Sequence, residues 1–193
     1  MRYIFYIMGK SSSGKDTIYK HLIDELNLKP IVIYTTRPMR EDEQNGREYF
    51  FVNKDCFEKM LSDGKIIEKR VYNTVHGEWI YFTAYNSIDI SEKNCIGIGT
   101  PESFMKVREH FGDAVVPIYI EVDDGIRLSR AVERERNEIN PKYKELCRRF
   151  LADCDDFSAE NLLSAGIIKR FQNNSDIDSC IVEIKRYIVN NFL

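Results

Sequence analysis

Short apolar runs alternate along the chain with stretches in which apolar residues recur every three or four positions. Residues 3–8 form an apolar and aromatic run closed by Gly9, which predicts a strand buried on both faces at the centre of a sheet. From Thr17 to Asn27 the apolar residues recur at helical spacing, which predicts a first helix. The order of strand, glycine-containing loop and helix is half of a right-handed parallel crossover.

The same alternation returns in the second half of the chain. Residues 95–98 and 115–122 predict strands separated by a helix over residues 101–111. A strand near residues 167–171 and a helix over residues 177–192 follow. These segments predict the parallel core of an α/β protein.

The middle of the chain has a different pattern. Residues 30–34 predict a strand, and the polar residues 35–47 predict a long exposed loop. Further strands are predicted over residues 47–52, 66–71 and 79–83, with a short helix over residues 54–63. We therefore predict a small inserted mixed-sheet lobe at about residues 36–90.

Residues 127–156 are highly charged and are interrupted by Asn140 and Pro141, which predicts two helices with a mobile connection. The whole chain, residues 1–193, is predicted to be one domain. Its core would comprise residues 1–35, 91–126 and 157–193, with the inserted lobe at 36–90 and a helical lid at 127–156.

Composition narrows the class of protein. The balance of 43% hydrophobic and 31% charged residues is typical of a globular protein, and the net charge of −3 gives no overall attraction to nucleic acid. No apolar run approaches the ~20 residues that span a bilayer. The five cysteines include no CxxC pair, which favours idle thiols in a reducing compartment. We expect a cytoplasmic protein with no nucleic-acid or membrane partner, either a monomer or a homodimer.

Residues 9–15 fit the P-loop spacing GxxxxGK, in which two glycines let the backbone fold around phosphate oxygens. The predicted strand before this loop and the helix after it are the context that the mechanism requires. The alternative is a serine-rich turn that only caps the helix. The motif predicts an α/β, P-loop NTPase-type three-layer fold with a central parallel sheet. The residues predicted to bind ATP are Gly9, Lys10, Ser11, Ser12, Ser13, Gly14 and Lys15.

The position after Lys15 holds Asp16, where Ser or Thr is usual, and Thr17 follows it. Asp16 could bind Mg²⁺, a hard cation that prefers oxygen ligands. It could instead cap the helix while Thr17 supplies the hydroxyl. Both residues are therefore candidates to contact ATP and its Mg²⁺, and the sequence leaves the choice open.

The loop after the second predicted strand carries a candidate acceptor site. Arg37 and Arg40 would form a fork for a phosphate dianion, with the Tyr49 hydroxyl completing the contact, unless the loop is only a solvated charged turn. With Gly46 and the P-loop, this segment resembles the acceptor-binding signature of guanylate kinases, roughly TTRxxRxxExxGxxYxFV. The resemblance extends over nearly the whole chain.

The resemblance implies transfer of the terminal phosphate of ATP to a nucleoside monophosphate, GMP or dGMP. It implies that Arg37, Arg40 and Tyr49 hold the acceptor phosphate, and that Glu68 accepts hydrogen bonds from guanine N1 and N2. The alternative for Glu68 is an exposed strand carboxylate.

The same resemblance implies roles for the charged segment near the end of the chain. Arg130, Arg134 and Arg149 would clamp the phosphates of ATP and act with Lys15 in catalysis. The alternative is a salt-bridged helix face, because glutamates interleave with these arginines. Asn174 would lie beside the adenine.

Some positions depart from the family pattern. Ile33 stands where a serine is usual, and Gly97 and Gly99 stand where strand-end aspartates are usual. The segment His76, Gly77 and Glu78 replaces a tyrosine, glycine and serine near the base, so His76 and Glu78 are candidates for acceptor binding.

Two other functions remain open. The departures favour a P-loop kinase with a different phosphorylated small-molecule acceptor. A non-catalytic phosphopeptide-binding module of the same fold is an alternative of another class, against which the retained Lys15 argues.

Overall fold

The computed structural model of the protein describes residues 1–74 and 77–193. Its strands, in chain order, are β1 (Ile4–Met8), β2 (Lys29–Pro30), β3 (Tyr34–Thr35), β4 (Phe50–Phe51), β5 (Ile66–Thr74), β6 (Gly77–Ala84), β7 (Cys95–Gly99), β8 (Val115–Glu121) and β9 (Arg170–Gln172). Its α-helices are α1 (Lys15–Leu26), α2 (Lys54–Ser62), α3 (Pro101–Phe111), α4 (Asp124–Arg136), α5 (Tyr143–Asp156), α6 (Ala159–Ser164) and α7 (Ile177–Phe192).

The core is a parallel sheet in the order β2-β7-β1-β8-β9. All five residues of β1 are buried, because helices cover both faces of the sheet. Tyr6 of β1 packs in a cluster with Phe104 of α3, whereas Phe5 packs in a cluster with Leu22 of α1 and Ile184 of α7. The predicted three-layer α/β fold and its central first strand are confirmed.

A second, mixed sheet has the order β4-β3-β6-β5. The apolar face of this sheet packs on α2, where Phe57 contacts a cluster with Ile80 and Phe82 of β6. On the opposite face, Glu68 and Arg70 of β5 lie across from polar residues of β6. The alternation therefore leaves one polar face free to form a site.

The prediction of one strand over residues 30–34 is wrong. Lys29 and Pro30 pair with β7 in the core, whereas Tyr34 and Thr35 pair with β4 and β6 in the second sheet. The chain therefore passes from one sheet to the other within this apolar run. The run stays apolar because Ile33 between the strands packs against the core cluster.

Other predicted boundaries also shift. The strand predicted over residues 47–52 forms only over Phe50–Phe51, and the strand predicted over 167–171 lies at Arg170–Gln172. Helix α4 begins before residue 127 because the Asp123 carboxylate caps it, accepting a hydrogen bond of 2.9 Å from the Gly125 N–H. Helix α6 was not predicted.

Helices α4 and α5 form the charged pair predicted within residues 127–156, and a buried arginine joins them. Arg127 is 1% exposed, and its Nε lies 2.6 Å from Asp124 Oδ1. Its guanidinium stacks 3.8 Å from the ring centre of Phe150 on α5, with Nη1 3.5 Å from Asp153 Oδ2. In the described part of the chain, no helix has the length and apolarity needed to cross a membrane.

Candidate active site

The P-loop, residues 9–15, connects β1 to α1, and its two glycines are required by close packing. Gly14 has φ of +83°, and a Cβ there would lie 2.6 Å from Nδ2 of Asn173. A Cβ at Gly9 would lie 2.7 Å from Oγ of Ser13. Asn173 is 2% exposed and donates a hydrogen bond of 2.8 Å to the Ser13 carbonyl. Asn173, the residue directly after β9, thus holds the P-loop in place through its side chain.

Several groups of the P-loop are open to an anion. The hydroxyls of Ser12 and Ser13 are buried and have no hydrogen-bond partner among the described residues. Lys15 Nζ lies 3.6 Å from Oδ2 of Asp16, and both side chains line the main cavity. The backbone N–H of Ser11 already donates to a carboxylate, that of Asp153, at 2.8 Å. The loop therefore has the donors that phosphate oxygens need.

The main cavity has a volume of about 800 Å³ and lies between the P-loop, the second sheet and α5. The P-loop wall includes Gly9, Ser11, Lys15 and Asp16. The wall from the second sheet and its loops includes Arg40, Arg47, Tyr49, Arg70, Tyr72 and Tyr81. The α5 wall includes Arg148, Arg149, Asp153 and Asp156. Four residues from three predicted groups, Lys15, Arg40, Tyr49 and Arg149, thus face one space.

Arg37 is not among the residues that line this cavity. Its side chain is 4% exposed, and its guanidinium binds the Glu43 carboxylate through two hydrogen bonds of 2.9 and 2.6 Å. Its Nε donates a hydrogen bond of 3.1 Å to the Tyr81 hydroxyl. Hydrogen bonding from Arg37 holds the pKa of Glu43 at about 2 and raises that of Arg37 in return. Arg37 therefore stabilises the loop that carries Arg40.

Glu68 is 7% exposed and lies behind Arg70 rather than in the cavity wall. Its Oε1 accepts hydrogen bonds from the Thr83 hydroxyl at 2.6 Å and from Arg70 Nη2 at 3.2 Å. Glu78 is exposed, lies 3.6 Å from Lys54 Nζ and does not line the cavity. The other candidate of that segment, His76, lies outside the described residues.

The remaining candidates lie around the P-loop and the end of β9. Arg134 and Arg149 line a small crevice together with Ser11 and Ser12. Arg130 Nη2 lies 3.4 Å from the carbonyl oxygen of Asn174, whose side chain accepts a hydrogen bond from the Asp123 N–H. Lys10 Nζ bonds Asp124 at 3.1 Å, and Thr17 is exposed outside the cavity wall.

Aromatic packing explains why the strand-end carboxylates are absent. A Cβ at Gly99 would overlap the Tyr6 hydroxyl and the Ser103 hydroxyl, which are hydrogen-bonded to each other at 3.0 Å. Burial raises the pKa of Tyr6 to about 12. A Cβ at Gly97 would meet Ile31 at 3.2 Å. Tyr6 and Ser103 therefore occupy the space that a side chain at Gly99 would need.

Sequence reasoning missed several residues of the site. Arg70, Tyr81 and Thr83 could have been found from the period-two alternation of β5 and β6, which places them on the face of Glu68. Asn173 and Asp153 carry no signal in the sequence, since each reaches the P-loop from more than a hundred residues away.

Comparison with known proteins identifies relatives of the chain. The family model described as guanylate kinase matches residues 1–162. A guanylate kinase of Porphyromonas gingivalis is 25% identical, with 97% of each chain covered. One from Caldanaerobacter subterraneus is 28% identical, covering 96% of this chain and 86% of its own. The crystal structure of guanylate kinase from Anaplasma phagocytophilum shares the fold, with a TM-score of 0.64 at 21% identity, covering 98% of this chain and 85% of that one.

Proposed function

Because the chain belongs to the guanylate kinase family, we propose that its main cavity is where the terminal phosphoryl group of ATP passes to GMP. One observation carries this proposal: Lys15 of the P-loop and Arg40 and Tyr49 of the acceptor loop line the same cavity. Two phosphate-binding groups on opposite walls of one space are what transfer between two polyanions requires.

On the ATP side, the P-loop amides and Lys15 bind the β- and γ-phosphates. The hydroxyls of Ser12 and Ser13, unpaired in the described structure, become partners of phosphate oxygens. Arg134 and Arg149 border the same loop and compensate the charge that develops during transfer. Arg130 of α4 donates a hydrogen bond to the carbonyl of Asn174, which follows β9, and these two residues would border the nucleoside.

Mg²⁺ would enter with ATP. The described residues contain no group of three or more histidines, cysteines or carboxylates close enough to hold a metal on their own. Mg²⁺ commonly takes one or two carboxylates and completes its shell with substrate phosphates and water. Asp16 fits that role because its exposed carboxylate lines the cavity beside Lys15, whereas Thr17 does not line it. The metal would neutralise phosphate charge.

On the acceptor side, Arg40 and Tyr49 hold the phosphate of GMP. The guanidinium of Arg40 faces the cavity and has no hydrogen bond to another described residue, so it is free to bind a dianion. Arg37 acts from behind as a positioning residue, through Glu43 and Tyr81. Glu68 lies beside Arg70 outside the cavity wall, and its Oε2, which accepts no hydrogen bond from a described residue, would accept those of the guanine ring.

The reaction needs no covalent intermediate, because the acceptor phosphate is already an anionic nucleophile. The chain's task is to place two polyanions in line and to compensate their charge with Lys15 and the arginines. We infer that the second sheet acts as the acceptor lobe and that α4 and α5 act as a lid. Their approach would exclude water from the transfer.

A coupled assay that follows ADP formation from ATP with a panel of monophosphates tests this function. Turnover of GMP or dGMP well above AMP, UMP and CMP is expected. Turnover of some other phosphorylated metabolite instead would contradict the GMP assignment while keeping the kinase. Phosphopeptide binding without affinity for ATP would contradict the enzyme altogether. A Lys15→Ala variant serves as the inactive control.

A further inference from the structure

Glu68 and Arg70 form an acidic and a basic pair on one face of β5. They are two residues apart on the strand, so their side chains point to the same side. Thr83 and Tyr81 of β6 lie directly across from them. Arg70 reaches the cavity wall, whereas Glu68 is 7% exposed beside it.

The contacts of this pair leave hydrogen-bonding capacity on both members. Glu68 Oε1 is used twice, by Thr83 and by Arg70 Nη2. Glu68 Oε2 lies 3.2 Å from Arg70 Nε, but the N–H is not directed at it, and this buried nitrogen has no hydrogen bond among the described residues. Arg70 Nη1 likewise forms none with any described residue. Such a buried donor costs free energy until a ligand pairs with it.

We propose that Arg70 is a specificity-determining residue that donates hydrogen bonds to O6 and N7 of the guanine ring. This inference rests on the proposed function of the cavity. Around its edge guanine presents, in order, the N2 and N1 donors and then the O6 and N7 acceptors. Glu68 offers its unpaired Oε2 as acceptor and Arg70 beside it offers Nε and Nη1 as donors, which is the complementary order.

The pairing is chemically specific for guanine. An arginine that donates to O6 and N7 is the commonest specific contact that proteins make with guanine in the DNA major groove. Adenine presents an acceptor at N1 and a donor at N6, so it would face Glu68 with an acceptor and Arg70 with a donor. The contact of Glu68 with N1 and the contact of Arg70 with the 6-position would then be repulsive, and only N7, which adenine shares with guanine, would still pair with Arg70.

The surroundings explain why this chain uses an arginine here. Ile33 lines the cavity with an apolar side chain, and Gly97 and Gly99 offer no side-chain hydrogen bond at the end of β7. Because Tyr6 and Ser103 fill the space at Gly99, that position offers no side chain to the base, whereas Arg70 of the second sheet lines the cavity. Arg70 supplies donors from that sheet.

A purely structural role for Arg70, in which it only neutralises Glu68, makes a different prediction. The test uses 7-deaza-GMP, in which a C–H replaces N7 and removes one acceptor while the Watson–Crick edge is unchanged. The variants are Arg70→Met, which removes all donors, and Arg70→Lys, which keeps the charge but cannot span two acceptors. Lys69→Met is the matched control, because Lys69 is on the opposite face of β5 over Phe57.

The measurement is kcat/KM for GMP and for 7-deaza-GMP at saturating ATP, with thermal unfolding to verify that each variant folds. The wild type should prefer GMP by about tenfold, the fold-change that corresponds to the loss of one hydrogen bond from a charged donor. The preference should fall to near unity in Arg70→Met, mainly through the KM for GMP, and should decrease in Arg70→Lys. It should be unchanged in Lys69→Met.

Equal use of both nucleotides by the wild type would overturn the inference, as would an unchanged preference in Arg70→Met. Either result would leave the kinase activity toward GMP intact. Absence of GMP turnover by the wild type would overturn both the proposed function and the role of Arg70, so the two failures are distinguishable.

Discussion

The carboxylate oxygen Oδ2 of Asp153 accepts a hydrogen bond of 2.8 Å from the backbone N–H of Ser11. The acceptor belongs to α5 and the donor to the P-loop. The same oxygen lies 3.5 Å from Nη1 of the buried Arg127, which holds the carboxylate in place. A carboxylate is thus bound to one of the backbone amides that we propose to bind ATP phosphates. A phosphate must compete with this carboxylate for the amide.

Replacing Asp153 by Ala should therefore strengthen ATP binding. Loss of one competing hydrogen bond corresponds to about a 2- to 12-fold lower dissociation constant, given a net value of about 0.5–1.5 kcal/mol. Calorimetric titration with a non-hydrolysable ATP analogue would measure it. Asp155→Ala, an exposed neighbour on α5, is the control and should bind like the wild type. Weaker binding by Asp153→Ala would show instead that the carboxylate assists the nucleotide.

Replacing Lys15 by Ala should lower kcat by at least about a hundredfold, because a preorganised charge is removed from the transferring phosphate. Thermal stability should change little, since Lys15 Nζ has only the exposed Asp16 as an ion-pair partner among the described residues. Steady-state kinetics and a thermal melt check both points. Lys106→Ala on α3 is the control. A rate like that of the wild type would contradict the role of Lys15.

Arg37 and Arg40 should give different results although they are three residues apart. Arg40→Ala should raise the KM for GMP by about tenfold or more at unchanged stability, because a charge-assisted hydrogen bond to phosphate is lost. Arg37→Ala should lower the free energy of unfolding by about 3 kcal/mol, because the largely buried Glu43 carboxylate would keep only the Arg40 N–H as a partner. Kinetics and chemical denaturation distinguish them, with the exposed Arg136→Ala as control. Equal effects of the two variants on stability would refute this division.

Much of the fold follows from local sequence, and the exceptions have physical causes. The buried run before Gly9 and the helical spacing after it predict β1 and α1, because both elements depend on their own residues. The apolar run over residues 30–34 led to a wrong prediction of one strand. The run is apolar because it is packed where the chain passes between two sheets. Strand pairing over long separations decides such cases.

The site follows from sequence in part for the same reason. The P-loop is contiguous and carries its own chemistry, so Lys15 and its glycines could be predicted. The sequence could not predict which arginines are ion-paired. Arg37 pairs with Glu43, and Arg70 with Glu68, only once the chain is folded. Asp153 meets Ser11 across 142 positions, a contact that no local pattern encodes.

The ion pair of Arg37 and Glu43 should make stability depend on pH at the acidic end. Hydrogen bonding from Arg37 lowers the pKa of Glu43 to about 2 from an ordinary value of 4.5. Because the folded pKa is depressed, the stabilisation is complete above pH 4.5 and is lost as the pH falls toward 2. The melting temperature of the wild type should exceed that of Glu43→Gln by a constant amount near neutral pH, and the difference should shrink below pH 4.5. Glu58→Gln, a change at an exposed position of α2, is the control, and its difference in melting temperature from the wild type should not change below pH 4.5. A difference that stays constant into acid would contradict the pair's contribution.

Gly99 should tolerate no side chain, because the hydrogen-bonded hydroxyls of Tyr6 and Ser103 occupy the position of its Cβ. Gly99→Ala should lower the free energy of unfolding by about 1–3 kcal/mol, the usual cost of overpacking a core. Gly97→Ala is the matched comparison, since its Cβ would meet only the flexible end of Ile31 at 3.2 Å and the ring of Tyr6 at ordinary contact distance. It should lose less, as measured by urea denaturation of both variants. A loss at Gly99 as small as that at Gly97 would mean that Tyr6 can move aside, and the end of β7 would then have room for a carboxylate after all.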